Sequence, residues 1–578
     1  MSSPYPSLQT RGLPGPEIWD IHPPTELQTA LETIFKPLQT TYPGMLRFGK
    51  TKKQSPFLRF DHKWHLDNFI GDVPYRSGPF SGKIREYTAG APTNQIQDIS
   101  GFCKITHLLD AYRMIQGSYP VAQHPALPSP SRKSEKVYVK LHNPHNQAYV
   151  DAVACYMLSK FREADHSPHF SLFYGSYLAI AKDYYYNITE EFNDLRFEGW
   201  FWRKHTQGRF KLMAFRDNVP IDSNSSLLMP PDNISDMLSE NNSETSSNIT
   251  DVSNLYDYNE NNADSGSLHS GTIDTVNSND ESISTEKSNT ISSVLSNMDE
   301  FDDKTKIFAA VAEFPTMMIF LESNKETMDF LLDRPEEVGA EPGTKEWEER
   351  WSAWLFQVVA ALCQIQSLWA MTHNDLHSNN ILWVSTDKKY LYYRALNGRQ
   401  FKVPTYGKIF RIIDFGRAIY THNDVLCVSD DYWPENEAGS QYNFGPFYDP
   451  NKPRIYPNPS FDLSRLSVSI IESLFKDIPE DREGGQVISD ELDRIQIETV
   501  SDLYNLLWAW LIDEDGRNIL WDTDQSERYP GFDLYTVIAE KIKGAVPCEQ
   551  LDKPPFSGFL MTKSDIILEG EKVYSLFC

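Results

Sequence analysis

His373-Asn374-Asp375-Leu376-His377-Ser378-Asn379-Asn380 is a polar stretch followed by the apolar run Ile381-Leu382-Trp383-Val384 and, further on, by Lys408-Ile409-Phe410-Arg411-Ile412-Ile413, which opens directly onto Asp414-Phe415-Gly416. Working outward, Trp347, Trp351, Leu355, Val358, Leu362, Ile365 and Trp369 recur at spacings of three and four. That period predicts an amphipathic helix over 346–370 that ends just before the polar stretch. Asn397-Gly398, between LYYR and QFKV, predicts a tight hairpin. The predicted order is therefore helix, polar loop, strand, hairpin, strand, with each polar piece at the end of an element able to aim it.

The residue types suit one kind of chemistry. Moving a phosphoryl group from a nucleotide needs a carboxylate to orient the attacking hydroxyl and oxygen ligands to hold Mg²⁺. Asp375 is placed to accept the hydroxyl proton, Asn380 offers a neutral amide oxygen to a metal, and Asp414 offers an anionic one. A cation for the phosphates is expected upstream at Lys140, in the alternating run Lys136-Val137-Tyr138-Val139-Lys140-Leu141, read as a strand. The next helix, AYVDAVACYMLSKF, contains no Glu; its acid is Asp151, which either pairs with Lys140 or serves the dipole at the helix N-terminus.

A strand lysine, an acid on the following helix, His-x-Asp-x-x-x-x-Asn and Asp-Phe-Gly together resemble the protein-kinase superfamily over roughly residues 100–540. In that resemblance Met317 to Asn324 is similar to the strand and hinge of such enzymes, which implies Leu321 as gatekeeper and backbone groups of Glu322 and Asn324 facing adenine. Phe461-Asp462-Leu463-Ser464-Arg465-Leu466 resembles the helix start whose aspartate, here Asp462, braces the catalytic loop. Further phrases, among them VPTYGKIFRIIDFGRAI, GSQYNFGPFYDPNKPRIYPNPSFDLSRL and ERYPGFDLY, are similar to the divergent Ser/Thr-type protein kinases of large nucleocytoplasmic DNA viruses.

The chain also departs from the pattern. No Gly-x-Gly-x-x-Gly precedes Lys140; the nearest glycines are Gly101 and Gly117-Ser118, so the phosphate-covering loop is atypical or replaced. Asn374 replaces an arginine that would receive an activating phosphate, which argues against gating by phosphorylation of that loop. His377 stands where a lysine is usual; it either donates to the transferring phosphate or packs in the loop. No Ala-Pro-Glu closes the segment after Asp414.

Composition limits the partners. The 578 residues include 81 Asp+Glu against 54 Lys+Arg, a net charge of −27 that opposes broad binding to nucleic acid or anionic lipid. Residues 221–303 hold 17 of those acids, the single Lys287, and 32 Ser or Asn. They are expected to form a disordered acidic insertion over 218–304, between two flanks read as strands. Residues 1–95, rich in Pro, Gly and Tyr, are expected to be an irregular extension. Cys103, Cys155, Cys363, Cys427, Cys548 and Cys578 show no paired spacing, which suits neither a disulfide scaffold nor a zinc site and fits a reducing, cytoplasmic compartment. If the chain is viral, as the resemblance implies, that compartment is the host cytoplasm or the virion. The first residues lack a basic start followed by an apolar stretch, and no apolar run approaches a membrane span, so neither secretion nor a membrane partner is expected.

The expected fold is α+β and two-lobed like a protein kinase: an antiparallel β-rich N-lobe over 96–322, interrupted by the insertion, and a mainly helical C-lobe over 323–578. The expected function is ATP- and Mg²⁺-dependent transfer to a Ser/Thr hydroxyl of a protein substrate. Asp375, Lys140 and His377 would be catalytic; Lys140, Asp151, Leu321, Glu322, Asn324, Asn380 and Asp414 would hold the nucleotide, and Asn380 and Asp414 the metal. Two alternatives stand beside it. Asp-Leu-His-x-x-Asn also resembles small-molecule kinases for sugars, choline and aminoglycosides, and the missing glycine loop suits a pseudokinase scaffold.

Overall fold

The computed structural model describes residues 15–49, 55–117, 127–128, 136–216, 219–222, 225, 228–231, 305–434, 436, 438–491, 494–522 and 526–578. Backbone contacts divide them into two compact units: 1–114, 118–184 and 312–578 in one, 115–117 and 185–311 in the other. The protein is a mixed α and β structure whose sheets are largely antiparallel.

In the first unit the main sheet is built from β1 (Phe35–Gln39), β2 (Trp64–Phe69), β3 (Gly78–Thr88), β4 (Ala91–His107), β5 (Phe173–Asn187) and, past the second unit, a strand that ends at Glu322. β3 and β4 join through Ala89 and Gly90, both with positive φ, the backbone a two-residue hairpin turn of matching twist demands. The expectation of an irregular extension over 1–95 is corrected here, because β1, β2 and β3 are members of this sheet. Their partners lie far along the chain: Leu38 stands opposite Ala179 and Gly78 opposite Cys103. Such pairing leaves no local period of the kind that marks a helix.

Lys136–His142 forms a short helix, α1, and not the expected strand. Pro144 follows it closely, and the residue before a proline is steered out of the helical region. The next helix, α2 (Gln147–Glu163), starts at Asn146, whose side chain accepts from the Ala148 N–H at 3.1 Å.

The second unit contains α3 (Gly199–Thr206), β6 (Lys211–Arg216) and β7 (Val219–Pro220), and in it residues 305–310 of β8 (Thr305–Glu322) pair with β6. The strand expected on the near flank of the insertion is thus partly helix, since GWFWRKHT makes up α3. The expected start of the insertion at 218 is corrected as well, because Val219 and Pro220 pair with Arg216 and Phe215. Residues 232–304, the bulk of the expected insertion, lie outside the described residues. Back in the first unit, β8 pairs with β4, and the strand order is β1-β5-β8-β4-β3-β2.

After β8 come α4 (Lys345–Trp369), β9 (Ile381–Ser385), the hairpin β10 (Tyr390–Arg394) and β11 (Gln400–Pro404), and β12 (Lys408–Ile412), each where its period or turn placed it. α4 opens at Thr344, whose hydroxyl accepts from Trp347 N–H, and closes at Ala370, which adopts a left-handed backbone. Trp351, Trp354, Leu355, Leu362 and Ile365 are all buried along it; at about 1.5–3 kcal/mol per buried side chain this stripe anchors the region. Gln357, also buried, docks α4 on β12 by accepting from Phe410 N–H at 3.0 Å and donating to the Lys408 carbonyl at 3.1 Å. Helices α5 (Phe461–Leu474) and α6 (Asp533–Lys541) follow, and β13 (Val573–Ser575) lies parallel to β10.

The cysteines depart from expectation too. Cys548 and Cys578 are joined in a disulfide with Cα atoms 6.2 Å apart, and the sulfur of buried Cys363 completes a cluster within 4.8 Å. Three sequence-distant elements converge there, which spacing alone does not reveal. Among the described residues no helix is long and apolar enough to cross a membrane.

Candidate functional site

Alternation along β4 decides its polar centre. Cys103 and Ile105 point into the core, so Lys104 projects from the opposite face together with Phe102. Its ammonium lies 2.6 Å from Asp151 Oδ2 and 2.8 Å from Asp414 Oδ1. Burial alone would lower the Lys104 pKa, but the two carboxylates outweigh it and the pKa is raised. Asp414 is pushed up by burial and pulled down further by Lys104, to about 2, so it is anionic at neutral pH. Asp151, almost fully buried on α2, also accepts from the Phe415 backbone N–H at 3.0 Å and from the Cys155 thiol. It thereby ties the lysine to the Asp-Phe-Gly turn, in which Asp414 itself takes a left-handed backbone with φ 64°.

The lysine expected here was Lys140, and that expectation is corrected. Lys140 lies on α1, 3.6 Å from Asp430. The signal for Lys104 was present in the run Gly101-Phe-Cys-Lys-Ile-Thr-His, which alternates as well as the run around Lys140 does. What separates the two is a contact with Asp414, 310 residues away, and no local pattern carries it.

The loop after α4 is fixed from below. Asp462, fully buried near the start of α5, accepts from His373 N–H at 3.0 Å and from Asn374 N–H at 2.9 Å. His373 Nε2 contacts the Ile413 carbonyl at 2.8 Å, so the two polar stretches are held side by side. Asn374, where an arginine was noted as absent, has φ 64°, donates to the Thr372 and Arg417 carbonyls and accepts from the Tyr442 hydroxyl. The Asn380 amide donates to the Asp375 carbonyl at 2.9 Å and meets His377 Nε2 at 3.1 Å. With its nitrogen fixed there, the planar amide turns its oxygen the other way. His377 has a pKa lowered by burial, so it is neutral at neutral pH and Nε2 accepts the amide hydrogen. This contact ties His377 into the loop through Nε2.

At the end of β8, Leu321 stands opposite Phe102, and the Glu322 N–H donates to the Leu172 carbonyl at 2.9 Å. The Glu322 carboxylate pairs with Arg162 and, at 3.1 Å, with Arg411. Burial pushes it up, but the two guanidiniums outweigh this and its pKa is lowered. Asn324 accepts from Arg411 and donates to Ser171. The expected hinge residues are thus pinned by their side chains to α2 and β12. Gly101 lies within β4, paired with Glu322 on one side and Phe80 on the other, and a Cβ there would overlap the Phe80 ring. Gly117 belongs to the second unit, and Ser118 lies outside the described residues. The loop between β2 and β3 does reach the lysine strand: Ser77 Oγ accepts from Ile105 N–H at 2.8 Å.

Asp375 has one partner that the sequence did not signal. Tyr535 on α6 donates its phenol hydrogen to Asp375 Oδ1 at 3.0 Å and accepts from Arg465 Nε at 2.9 Å, while Arg417 Nη1 lies 4.0 Å from the same carboxylate oxygen. The arrangement brings together an ammonium, an anionic carboxylate, an oriented amide oxygen and a second carboxylate in contact with a hydroxyl. No model of a known protein family matches the chain, and no curated protein matches it.

Proposed function

We propose that the chain is a phosphotransferase of the protein-kinase type, two-lobed about a hinge at Glu322, acting on a protein Ser/Thr hydroxyl. The observation that carries this reading is Lys104 held between Asp151 and Asp414 beside a loop that presents Asp375 and Asn380. The donor set fits the groups the reaction needs: Asp414 and Asn380 offer hard oxygens of the kind Mg²⁺ takes, and Lys104 is a phosphate-binding cation. When bound, Mg-ATP supplies the transferable phosphoryl group. Asp375 orients the acceptor hydroxyl and takes its proton. Asp462 fixes the backbone that carries Asp375, and Asp151 fixes the Asp-Phe-Gly turn that carries Asp414. The β2–β3 loop, Ile70 to Ser77, is the segment next to Lys104 able to cover phosphates, and Gly71 in it has φ 94°.

The test is transfer from labelled Mg-ATP to a generic basic protein by wild type, Asp375→Asn and Asp414→Asn. Transfer by wild type that falls on the order of a hundredfold or more in both variants is expected. Wild-type transfer only to small alcohols would replace the acceptor class, and no transfer together with no thermal stabilisation by Mg-ATP would make the chain a scaffold.

A further inference from the structure

A general base acts on a hydroxyl within about 2.6–3.2 Å of it. If Asp375 is the carboxylate that receives the acceptor hydroxyl, the Tyr535 hydroxyl at 3.0 Å already stands in the acceptor's position. The tyrosine is held there on several sides. Its ring stacks on Phe532 at 4.9 Å and 8°, packs against Phe461 at 5.9 Å, and carries the Arg465 guanidinium over its face at 5.2 Å. Arg465 donates to the Tyr535 oxygen, and Arg417, which also pairs with Asp431, lies 4.0 Å from Asp375, so cationic charge stands where added negative charge would need it.

We propose that Tyr535 is an intramolecular phosphoacceptor of this site, an inference that rests on the phosphotransferase reading above. The bond between the γ-phosphorus and the β–γ bridging oxygen of ATP breaks, a bond from that phosphorus to Tyr535 Oη forms, the phenol proton passes to Asp375, and ADP leaves. Positioning carries most of such a step, because the transition state is loose and asks little of the nucleophile. The product differs from the starting state in one decisive way. The phenol hydrogen that held Tyr535 on Asp375 is gone, and a phosphate of about −1.5 to −2 charge faces a carboxylate. Attraction becomes repulsion, α6 moves off Asp375 with Arg465 as its counter-charge, and the acceptor position opens to other hydroxyls.

The experiment uses the wild-type chain, purified without nucleotide, then incubated with Mg-ATP in the presence of a generic basic protein. Mass spectrometry locates the phosphate, and hydrogen exchange of α6 is compared before and after. Expected are phosphate on Tyr535 at a first-order rate that does not change with protein concentration, faster exchange in α6, and a lag in transfer to the added protein that Tyr535→Phe abolishes. A rate per chain that rises with protein concentration would make one copy the substrate of another and overturn the intramolecular assignment. Phosphate on the added protein with Tyr535 unmodified overturns the inference while the phosphotransferase reading stands. Phosphate on neither overturns both.

Discussion

Lys104 keeps its proton against burial because Asp151 and Asp414 lie on it, and the three charges are interdependent. Lys104→Met removes the cation that the proposed function assigns to the phosphates and leaves the nearly fully buried Asp151 without its counter-charge. Transfer should fall on the order of a hundredfold or more, with a stability loss of about 3 kcal/mol, read from denaturant unfolding. Lys140 makes the contrast. It is partly exposed and pairs with Asp430, whose pKa burial pushes up to about 6 despite the lysine. Lys140→Met leaves the buried Asp430 without its counter-charge, so stability should fall by up to about 3 kcal/mol while transfer stays close to wild type. Loss of transfer in the Lys140 variant, with Lys104→Met active, would return the role to the residue that local alternation favoured.

At the scale of elements, α5 holds the loop after α4 through Asp462 and through Ser469, whose hydroxyl accepts from Ser378 N–H at 3.2 Å. Asp462→Ala would strand the N–H groups of His373 and Asn374, a cost of about 1–3 kcal/mol each where no water replaces the carboxylate. A positioning role predicts that kcat falls while the KM for ATP holds, and that Asp462→Asn, which keeps one acceptor oxygen, recovers part of the loss. Equal losses in kcat and thermal stability, with no rescue, would reduce Asp462 to a structural residue. α4, the loop after it, the β10–β11 hairpin and the Asp-Phe-Gly turn were legible in the sequence because each is fixed by residues near one another: a helical period, an Asn-Gly turn, short polar stretches at element ends. Asp462 was legible through its phrase. Lys104, the strands before residue 95 and the Tyr535 contact were not. Their meaning lies in pairings across tens to hundreds of residues, such as Lys104 with Asp414, and a strand's own alternation says which side chains share a face but not which partner they meet.

Across the whole molecule, histidines set the acid limit. His62, His169 and His422 are buried, and burial lowers their pKa values from 6.5 to about 3, about 4 and about 4. A histidine with a depressed folded pKa takes up its proton in the unfolded chain first, so between its two values the unfolded state binds more protons and stability rises with pH. The stabilisation from these groups is fully present above pH 6.5 and is lost as pH falls toward 4. Each contributes about 1–3 kcal/mol, after allowance for relaxation of the buried site. Asp430 runs the other way, because its raised pKa keeps it protonated in the folded state between 3.8 and about 6 and favours folding as pH falls. Asp414 adds to the acid loss only later, between 3.8 and about 2. Among the described residues His65, His107, His145, His166, His205 and His377 shift down as well, and Glu163, Glu348 and Asp462 shift up with Asp430; nine histidines against four carboxyls leave a net fall, so the urea midpoint should drop steadily from pH 6.5 to 4.5. His169 touches the Phe410 carbonyl and the Tyr393 hydroxyl, and His169→Gln supplies a donor and an acceptor without a titration in this range. That variant should start less stable at pH 7 and lose less between pH 6.5 and 4.5. A slope equal to wild type would remove His169 from the acid-sensitive set and leave the burden on the other buried histidines.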